Sequence, residues 1–215
     1  MILSRRHLSL AAGMTAAVAL TAGALIASTA EAAPAVTVGN GAPAFTGVTS
    51  HGETVSLADF AGKTVVLEWT NDGCPFVVKH YTDPPSNMQT LQKAAASDDI
   101  VWLSVISSNK GEQGHATPER ANKLTTSRGA APAHVILDES GDIGRLYGAK
   151  TTPHMYIITP EGELVYDGAI DSVPSARVDD IPKATNYVTA ALTELAAGQP
   201  VSTPVTKPYG CSVKY

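Results

Sequence analysis

Cysteine, clustered basic residues and long apolar runs are all scarce in this 215-residue chain, and each shortage excludes something. With only two cysteines, Cys74 and Cys211, at most one internal disulfide can form. The formal net charge is −5 and no basic run occurs, so nucleic acid is not expected as a partner. Beyond Ile26, no apolar segment is long enough to span a bilayer. The 44% hydrophobic content supports one sizeable core, and we expect one domain.

The first 32 residues have the three parts of a secretory signal. Arg5 and Arg6 make a basic head, an Ala-, Gly- and Leu-rich run follows from Leu10 to Ile26, and Ala30–Ala32 offers small residues for cleavage. The paired arginines resemble a twin-arginine signal, which exports folded proteins. The sequence therefore predicts removal of residues 1–32, a periplasmic or secreted protein in an oxidising compartment, and no membrane contact afterwards. An uncleaved membrane anchor is the alternative.

The remaining chain alternates strand and helix patterns. Apolar, β-branched runs predict strands at Thr46–Thr49, Thr54–Val55, Thr64–Trp69, Ile100–Ile106, His134–Leu137, Met155–Ile158 and Leu164–Tyr166. Helices are predicted after Cys74, with a break at Asp83–Pro85, from Thr117 to about Gly129, and over Asp179–Ala197. This order predicts an α/β fold, a central mixed sheet flanked by helices within residues 33–200. Residues 201–215 are rich in proline and are predicted to be a flexible, irregular tail.

One thiol stands at a junction that favours reactivity. The buried-strand pattern of Thr64–Trp69 is followed by the turn residues Asn71–Gly73, then by Cys74 and by Pro75, which the first turn of a helix tolerates. Unpaired amide groups and the positive end of the helix dipole meet at such a junction, and both favour the reactive thiolate. The sequence therefore predicts that Cys74 is an accessible redox nucleophile. A buried, inert cysteine is the alternative.

Several short motifs follow one another in an order shared with a known superfamily: Gly41–Phe45, Gly62–Leu67, Trp69 with Cys74-Pro75, Leu137-Asp138, Tyr147-Gly148, Thr151–Pro153 and Tyr166–Gly168. With these motifs the chain resembles the redoxin branch of the thioredoxin fold, which includes peroxiredoxins and alkyl hydroperoxide reductases. The resemblance implies a thioredoxin-like fold with an N-terminal redoxin-type extension, followed here by the C-terminal tail.

A closer resemblance is to a peroxiredoxin-like group with Asn-x-x-Cys-Pro-aromatic-Val near the front and Gly-Cys-Ser-x-Lys-aromatic at the end. Here these motifs are Asn71–Val77 and Gly210–Tyr215. The resemblance implies that Cys74 occupies the first position of the thioredoxin Cys-x-x-Cys motif. Val77 stands at the second position, so a local dithiol is missing. The peroxiredoxin pattern Pro-x-x-x-Thr-x-x-Cys is missing as well, since Asn71 stands three residues before Cys74.

The second cysteine, Cys211, lies on the tail, and its role has three readings. It is a resolving cysteine that regenerates Cys74 through a reversible disulfide, one half of a permanent structural disulfide, or a free thiol that serves another partner. We expect the first, in which Cys74 attacks and Cys211 resolves.

Thr152-Pro153 matches the position of the thioredoxin-fold proline. The resemblance implies that Pro153 is cis, faces Cys74 and, with Thr152, presents backbone to an extended peptide substrate. From the residues alone, this dipeptide is a turn or strand-edge feature.

Three charged or titratable side chains flank Cys74 in sequence. Helical geometry turns Lys79 and His80 away from Cys74, so they are predicted to form a solvated surface. Glu68 is predicted to be a solvated strand-end residue, with a buried proton shuttle as the alternative.

No cofactor is expected. Cys74, Cys211 and His154 are ligand types that copper prefers, but they lack close ligand spacing, so a copper site is only a weak alternative.

Together these features predict an exported thiol–disulfide oxidoreductase or antioxidant protein that acts on a protein or small-molecule disulfide and draws on an external thiol electron donor. One alternative is a thiol peroxidase acting on peroxide. Another is a copper-binding or purely structural module.

Overall fold

The computed structural model describes residues 36–215, and within them the predicted order of strands and helices is confirmed. The strands are β1 (Thr46–Thr49), β2 (Thr54–Ser56), β3 (Val65–Trp69), β4 (Val101–Ile106), β5 (His134–Leu137), β6 (Thr151–Thr152), β7 (His154–Ile158), β8 (Leu164–Gly168) and β9 (Cys211–Ser212). The α-helices are α1 (Pro75–Tyr81), α2 (Asn87–Ser97), α3 (Pro118–Ser127), α4 (Asp142–Tyr147) and α5 (Tyr187–Ala196). The predicted signal, residues 1–32, lies outside the described residues.

Among the described residues, the first five strands and β7 and β8 form a mixed sheet in the order β2-β1-β5-β4-β3-β7-β8. The central strand β3 runs parallel to β4 and antiparallel to β7, while β7 and β8 form the predicted late hairpin. Strands β6 and β9 pair separately. The predicted central mixed sheet is thus confirmed.

The two faces of β3 belong to two cores, because successive side chains of a strand point to opposite sides. Val65, Leu67 and Trp69 pack with Tyr147 of α4 in one core. Val66 packs on the opposite face in a core that also holds Cys74 and residues of α1, α2 and α5. The sheet therefore places Cys74 in the core on the side that α1, α2 and α5 cover.

The two predictions of where helices break or continue have different outcomes. The break at Asp83–Pro85 is confirmed, since α1 ends at Tyr81 and α2 begins at Asn87. The single helix predicted over Asp179–Ala197 is wrong. A 3-10 helix spans Val178–Lys183, and α5 begins only at Tyr187. Pro182 lies inside the first segment, and proline cannot donate the backbone hydrogen bond that a continuous α-helix needs. No helix within residues 36–215 combines the length and apolar character that crossing a membrane requires.

The tail is irregular as predicted, with only the short strand β9 in it, but the prediction that it is flexible is wrong. The tail lies against the domain at successive points: Val205 bridges to Asp167, β9 pairs with β6, and the amide of Asn109 donates to the carbonyl of Lys214. Periodicity within the tail gave no sign of this, because every partner is a distant part of the chain. The final residues therefore belong to the folded unit and carry Cys211 across it.

Candidate redox site

The loop that carries Cys74 is fixed by the predicted turn residues. The side-chain oxygen of Asn71 accepts a hydrogen bond from the amide of Gly73 at 2.9 Å. The backbone carbonyl of Asn71 accepts one from the amide of Cys74 at 3.1 Å. Gln113 then holds the loop from outside, accepting from the Asn71 amide group and donating to the carbonyl of Gly73. Cys74 is the N-cap of α1, and Pro75 is its first residue. The predicted position at a strand–helix junction is confirmed.

The expectation that Cys74 is accessible is wrong. Its relative exposure is 0%, and it is packed in the core between the sheet and α1. The sequence around Cys74 is typical of an open turn, but the residues that bury its side chain come from distant parts of the chain. The thiol of Cys74 donates a hydrogen bond to the backbone carbonyl of Thr152 at 3.1 Å, and Thr152 is itself buried. Cys211 lies against the sulfur of Cys74. The thiol is therefore reached only through the tail or by moving it.

Strand pairing brings the second cysteine to the first. In the antiparallel β6–β9 ladder, Cys211 is the partner of Thr152, and Ser212 is the partner of Thr151. Gly210 has a φ of +138°, and a Cβ at this position would lie 2.0 Å from the carbonyl oxygen of Thr152. Only glycine permits so close an approach. Both cysteines are free thiols here, and each is close enough to the other to shift its pKa.

The two thiols are electrostatically unequal. Burial alone would raise the pKa of Cys74, but hydrogen bonds from the side chain and amide of Cys211, from Thr152 and from the amide of Val77 outweigh it and lower the pKa below its ordinary value. Burial and the neighbouring Cys74 raise the pKa of Cys211 to about 11. When one proton leaves the pair, the negative charge therefore rests on Cys74, with the Cys211 thiol as a donor to it.

The peptide bond between Thr152 and Pro153 is cis, as the resemblance implied. The hydroxyl of Thr152 is buried and has no nitrogen or oxygen partner within the described residues. It also helps to lower the pKa of Cys74. This hydroxyl lies beside the sulfur and has no competing acceptor, so it is available to the Cys74 thiolate. A charged acceptor gains more from such a hydrogen bond than a neutral one.

Replacing Thr152 tests this donor. We expect Thr152→Val to raise the pKa of Cys74 by about one to two pH units, the value of a hydrogen bond to a charged group. The matched variant Thr152→Ser keeps the hydroxyl and should leave the pKa close to that of the wild type. Thiolate absorbance in the ultraviolet, measured against pH on the reduced proteins, gives both values. An unchanged pKa in Thr152→Val would show that the hydroxyl does not act on the sulfur.

The prediction that Lys79 and His80 form a solvated surface is wrong, since both side chains are fully buried. The Nζ of Lys79 lies 3.4 Å from the Oδ2 of Asp171, and the Nε2 of His80 lies 3.7 Å from the same atom. Tyr209, two residues before Cys211, donates its hydroxyl hydrogen to the other oxygen of Asp171. Burial, with Lys79 beside it, lowers the pKa of His80 to about 4. This buried cluster fastens the tail to α1, the helix that Cys74 begins.

Glu68 is also fully buried, so its interpretation as a solvated strand-end residue is wrong. Its carboxylate accepts hydrogen bonds from the side chains of Tyr81, Gln92, Trp102 and Ser104 at 2.8 to 3.2 Å. These donors lie on α1, α2 and β4, so the carboxylate joins two helices to the sheet. None of these bonds involves Cys74.

The weak copper alternative required His154 as a ligand beside the two cysteines. The Nε2 of His154 lies 2.7 Å from Oδ1 of Asp167. Its Nδ1 accepts a hydrogen bond from the amide of Lys150 at 3.2 Å and lies 3.2 Å from the hydroxyl oxygen of Tyr156. Both ring nitrogens are thus engaged. Within residues 36–215, no three or more His, Cys, Asp or Glu side chains are arranged to hold a metal.

Comparison with known proteins identifies a family that this chain matches. The model of the AhpC/TSA family matches residues 38–167, which include Cys74, Thr152 and Pro153 but not the tail. No curated protein sequence matches the chain.

Solved structures are similar to this chain in fold. A hypothetical protein from Sinorhizobium meliloti 1021 is 23% identical, with a TM-score of 0.72, and the match covers 84% of this chain and 96% of that one. An uncharacterized conserved protein from Geobacillus kaustophilus is 24% identical, with a TM-score of 0.67 and coverage of 83% and 92%. A putative protein disulfide isomerase from Bacteroides thetaiotaomicron is 18% identical, with a TM-score of 0.53 and coverage of 78% and 92%. At these identities the likeness concerns the fold alone.

Proposed function

This chain belongs to the AhpC/TSA family, and we propose that it is a thiol–disulfide oxidoreductase whose redox pair is Cys74 and Cys211. The observation that carries the proposal is the pairing of β6 with β9, which sets Cys211 opposite Thr152 and against the sulfur of Cys74. Two free thiols that lie close enough to shift each other's pKa are placed to form a disulfide. Because Val77 stands where the second cysteine of a Cys-x-x-Cys motif would be, Cys211 takes the place of that second thiol.

The electrostatics of the pair suit exchange. A thiolate is the attacking form in thiol–disulfide exchange, and a sulfur of low pKa is also the better leaving group. Cys74 has both properties, since its thiolate is stabilised by four neighbouring donors. Stabilising the reduced pair also makes the corresponding disulfide more oxidising. We therefore expect the disulfide form to accept electrons readily from an outside thiol.

Catalysis of exchange tests the proposal. Glutathione and a peptide containing one disulfide exchange slowly without a catalyst, and we expect the protein to accelerate this reaction in proportion to its concentration. The rate is measured by separating the peptide forms after acid quenching. A rate equal to that of the uncatalysed mixture would refute the proposed activity.

Peroxides are not included in the proposal. The peroxiredoxin threonine is replaced by Asn71, whose side chain is committed to the loop. Arg120 pairs with Asp72, and Arg128 donates to the carbonyl of the same residue at 3.3 Å. These side chains therefore hold the backbone of the Cys74 loop and are not free to bind a peroxide. Disulfide exchange accounts better for a buried thiolate in contact with a second thiol.

We further propose that the protein is exported. The proposal rests on Arg5, Arg6, the apolar run and Ala30–Ala32 of the sequence, and an oxidising compartment suits a redox pair that cycles through a disulfide. Changing both arginines to lysine should leave the uncleaved precursor in the cytoplasm of a bacterial host, whereas the wild type is found shortened in the periplasm. Unaltered export of the double variant would contradict the twin-arginine assignment.

A further inference from the structure

The two cysteines of the pair differ in exposure. Cys74 has no exposed surface, whereas Cys211, on strand β9 of the β6–β9 ladder, is partly exposed. Cys211 itself is part of what covers Cys74. A molecule that approaches this site from solvent therefore meets Cys211 first.

The tail is fastened on both sides of Cys211, so it does not open as a loose end. On one side, the ring of Tyr209 packs edge-on against Phe76 with centroids 5.9 Å apart, and its hydroxyl donates to Asp171. On the other side, the hydroxyl of Tyr215 donates to the carbonyl of Ala149 at 2.8 Å.

Close contacts complete this attachment. The ring of Tyr215 occupies a notch that exists because Gly141 and Gly144 have no side chains, and a Cβ on either would lie about 2.5 Å or less from the ring. The guanidinium of Arg145 lies 4.8 Å from the centre of the same ring. Exposing Cys74 requires releasing these contacts together with the β6–β9 pairing, whereas reaching Cys211 requires releasing none of them.

We propose that an outside thiol exchanges with this protein at Cys211, and that Cys74 is the inner sulfur that leaves and returns beneath it. This order reverses the one expected from the sequence, in which Cys74 meets the partner and Cys211 resolves. The proposal rests on the proposed function, because it assigns roles within the same redox pair.

The exchange proceeds in two balanced displacements. In the first, an outside thiolate attacks the sulfur of Cys211 in the Cys74–Cys211 disulfide. A mixed disulfide forms on Cys211, the internal bond breaks, and its electron pair stays on Cys74. In the second, another outside thiolate attacks the partner's own sulfur in the mixed disulfide and releases Cys211. Two outside thiols become one disulfide, and their two protons end on Cys74 and Cys211.

The surroundings of Cys74 favour its role as the inner sulfur. As it leaves, its thiolate is received by the amide of Val77 and the hydroxyl of Thr152, which lie beside Cys74 in the thiol form. A leaving sulfur that needs no new solvation departs more readily than one that must recruit water.

Mapping the mixed disulfide tests the proposal. The wild-type protein is oxidised to the internal disulfide, mixed briefly with reduced glutathione, quenched with acid, alkylated and digested. We expect glutathione on the peptide of Cys211 and the alkyl group on Cys74. Glutathione found mainly on Cys74, or divided evenly between the two cysteines, would overturn the proposal. If no internal disulfide can be formed at all, the proposed function itself fails, which is a separate result.

Single-cysteine variants give a second, independent measurement. With glutathione disulfide as the probe, Cys211 in the Cys74→Ser variant should be modified at native conditions. Cys74 in the Cys211→Ser variant should react at about one tenth of that rate or slower, because its reaction requires the tail to open. In dilute denaturant that releases the tail, this second rate should rise. Faster modification of Cys74 than of Cys211 in the native proteins would overturn the proposal.

Discussion

The Cys74→Ser variant is expected to lose thiol–disulfide exchange activity by a factor on the order of 10³ or more, falling to the uncatalysed rate. The reason is chemical: a serine oxygen cannot form the internal disulfide, and the sulfur that holds the charge of the reduced pair is gone. The glutathione–peptide exchange assay measures the loss.

The fold should tolerate this change. Serine is close to cysteine in size and is a favoured helix N-cap, the position that Cys74 occupies at the start of α1. We therefore expect the unfolding free energy of the reduced variant to stay within about 1 kcal/mol of the wild type. In the variant, a mixed disulfide on Cys211 should accumulate, because the inner sulfur that would displace the partner is absent. Wild-type activity in Cys74→Ser would remove the proposed function.

The Asp171→Ala variant is expected to lose about 3–5 kcal/mol of unfolding free energy, the usual result of removing one partner from a buried ion pair. Lys79 and Asp171 are 0% and 3% exposed, so the remaining ammonium group would be buried without its counter-charge. The change also takes the hydrogen-bond acceptor from Tyr209, and through it loosens the attachment of the tail beside Cys211.

An exposed pair provides the matched control. Lys63 and Asp99 lie 2.7 Å apart, but their side chains are 45% and 82% exposed. Removing that carboxylate with Asp99→Ala should cost about 0–1 kcal/mol, since water replaces the lost partner. Urea unfolding of both reduced variants measures the two values. Equal, small losses in the two variants would contradict the structural role assigned to Asp171.

The parts of the site that follow from local chemistry were predictable. Asn71–Gly73 make the turn they are suited for, and Pro75 begins α1, so the position of Cys74 follows from neighbours in sequence. The alternation of the strand patterns likewise predicts the mixed sheet. In each case the residues that determine the structure lie within a few positions of it.

The rest depends on partners far away in the chain. Lys79 and His80 are residue types of a solvated helix face, and distant partners such as Asp171 and Tyr209 help to make their burial tolerable. Cys74 is covered because Gly210 lets the tail approach the backbone of Thr152. The sequence signal that could have indicated these contacts is the aromatic and glycine content of the tail, where Tyr209 and Gly210 immediately precede Cys211.

The most direct test is a redox titration of the wild-type protein. The protein is equilibrated in glutathione buffers of increasing oxidising strength, its free thiols are alkylated, and its peptides are identified by mass. We expect a single two-electron transition in which the peptides of Cys74 and Cys211 become joined, and the joined form reverts fully on return to reducing buffer. Two cysteines that remain separate across the whole range, or that each carry glutathione without joining, would contradict the account.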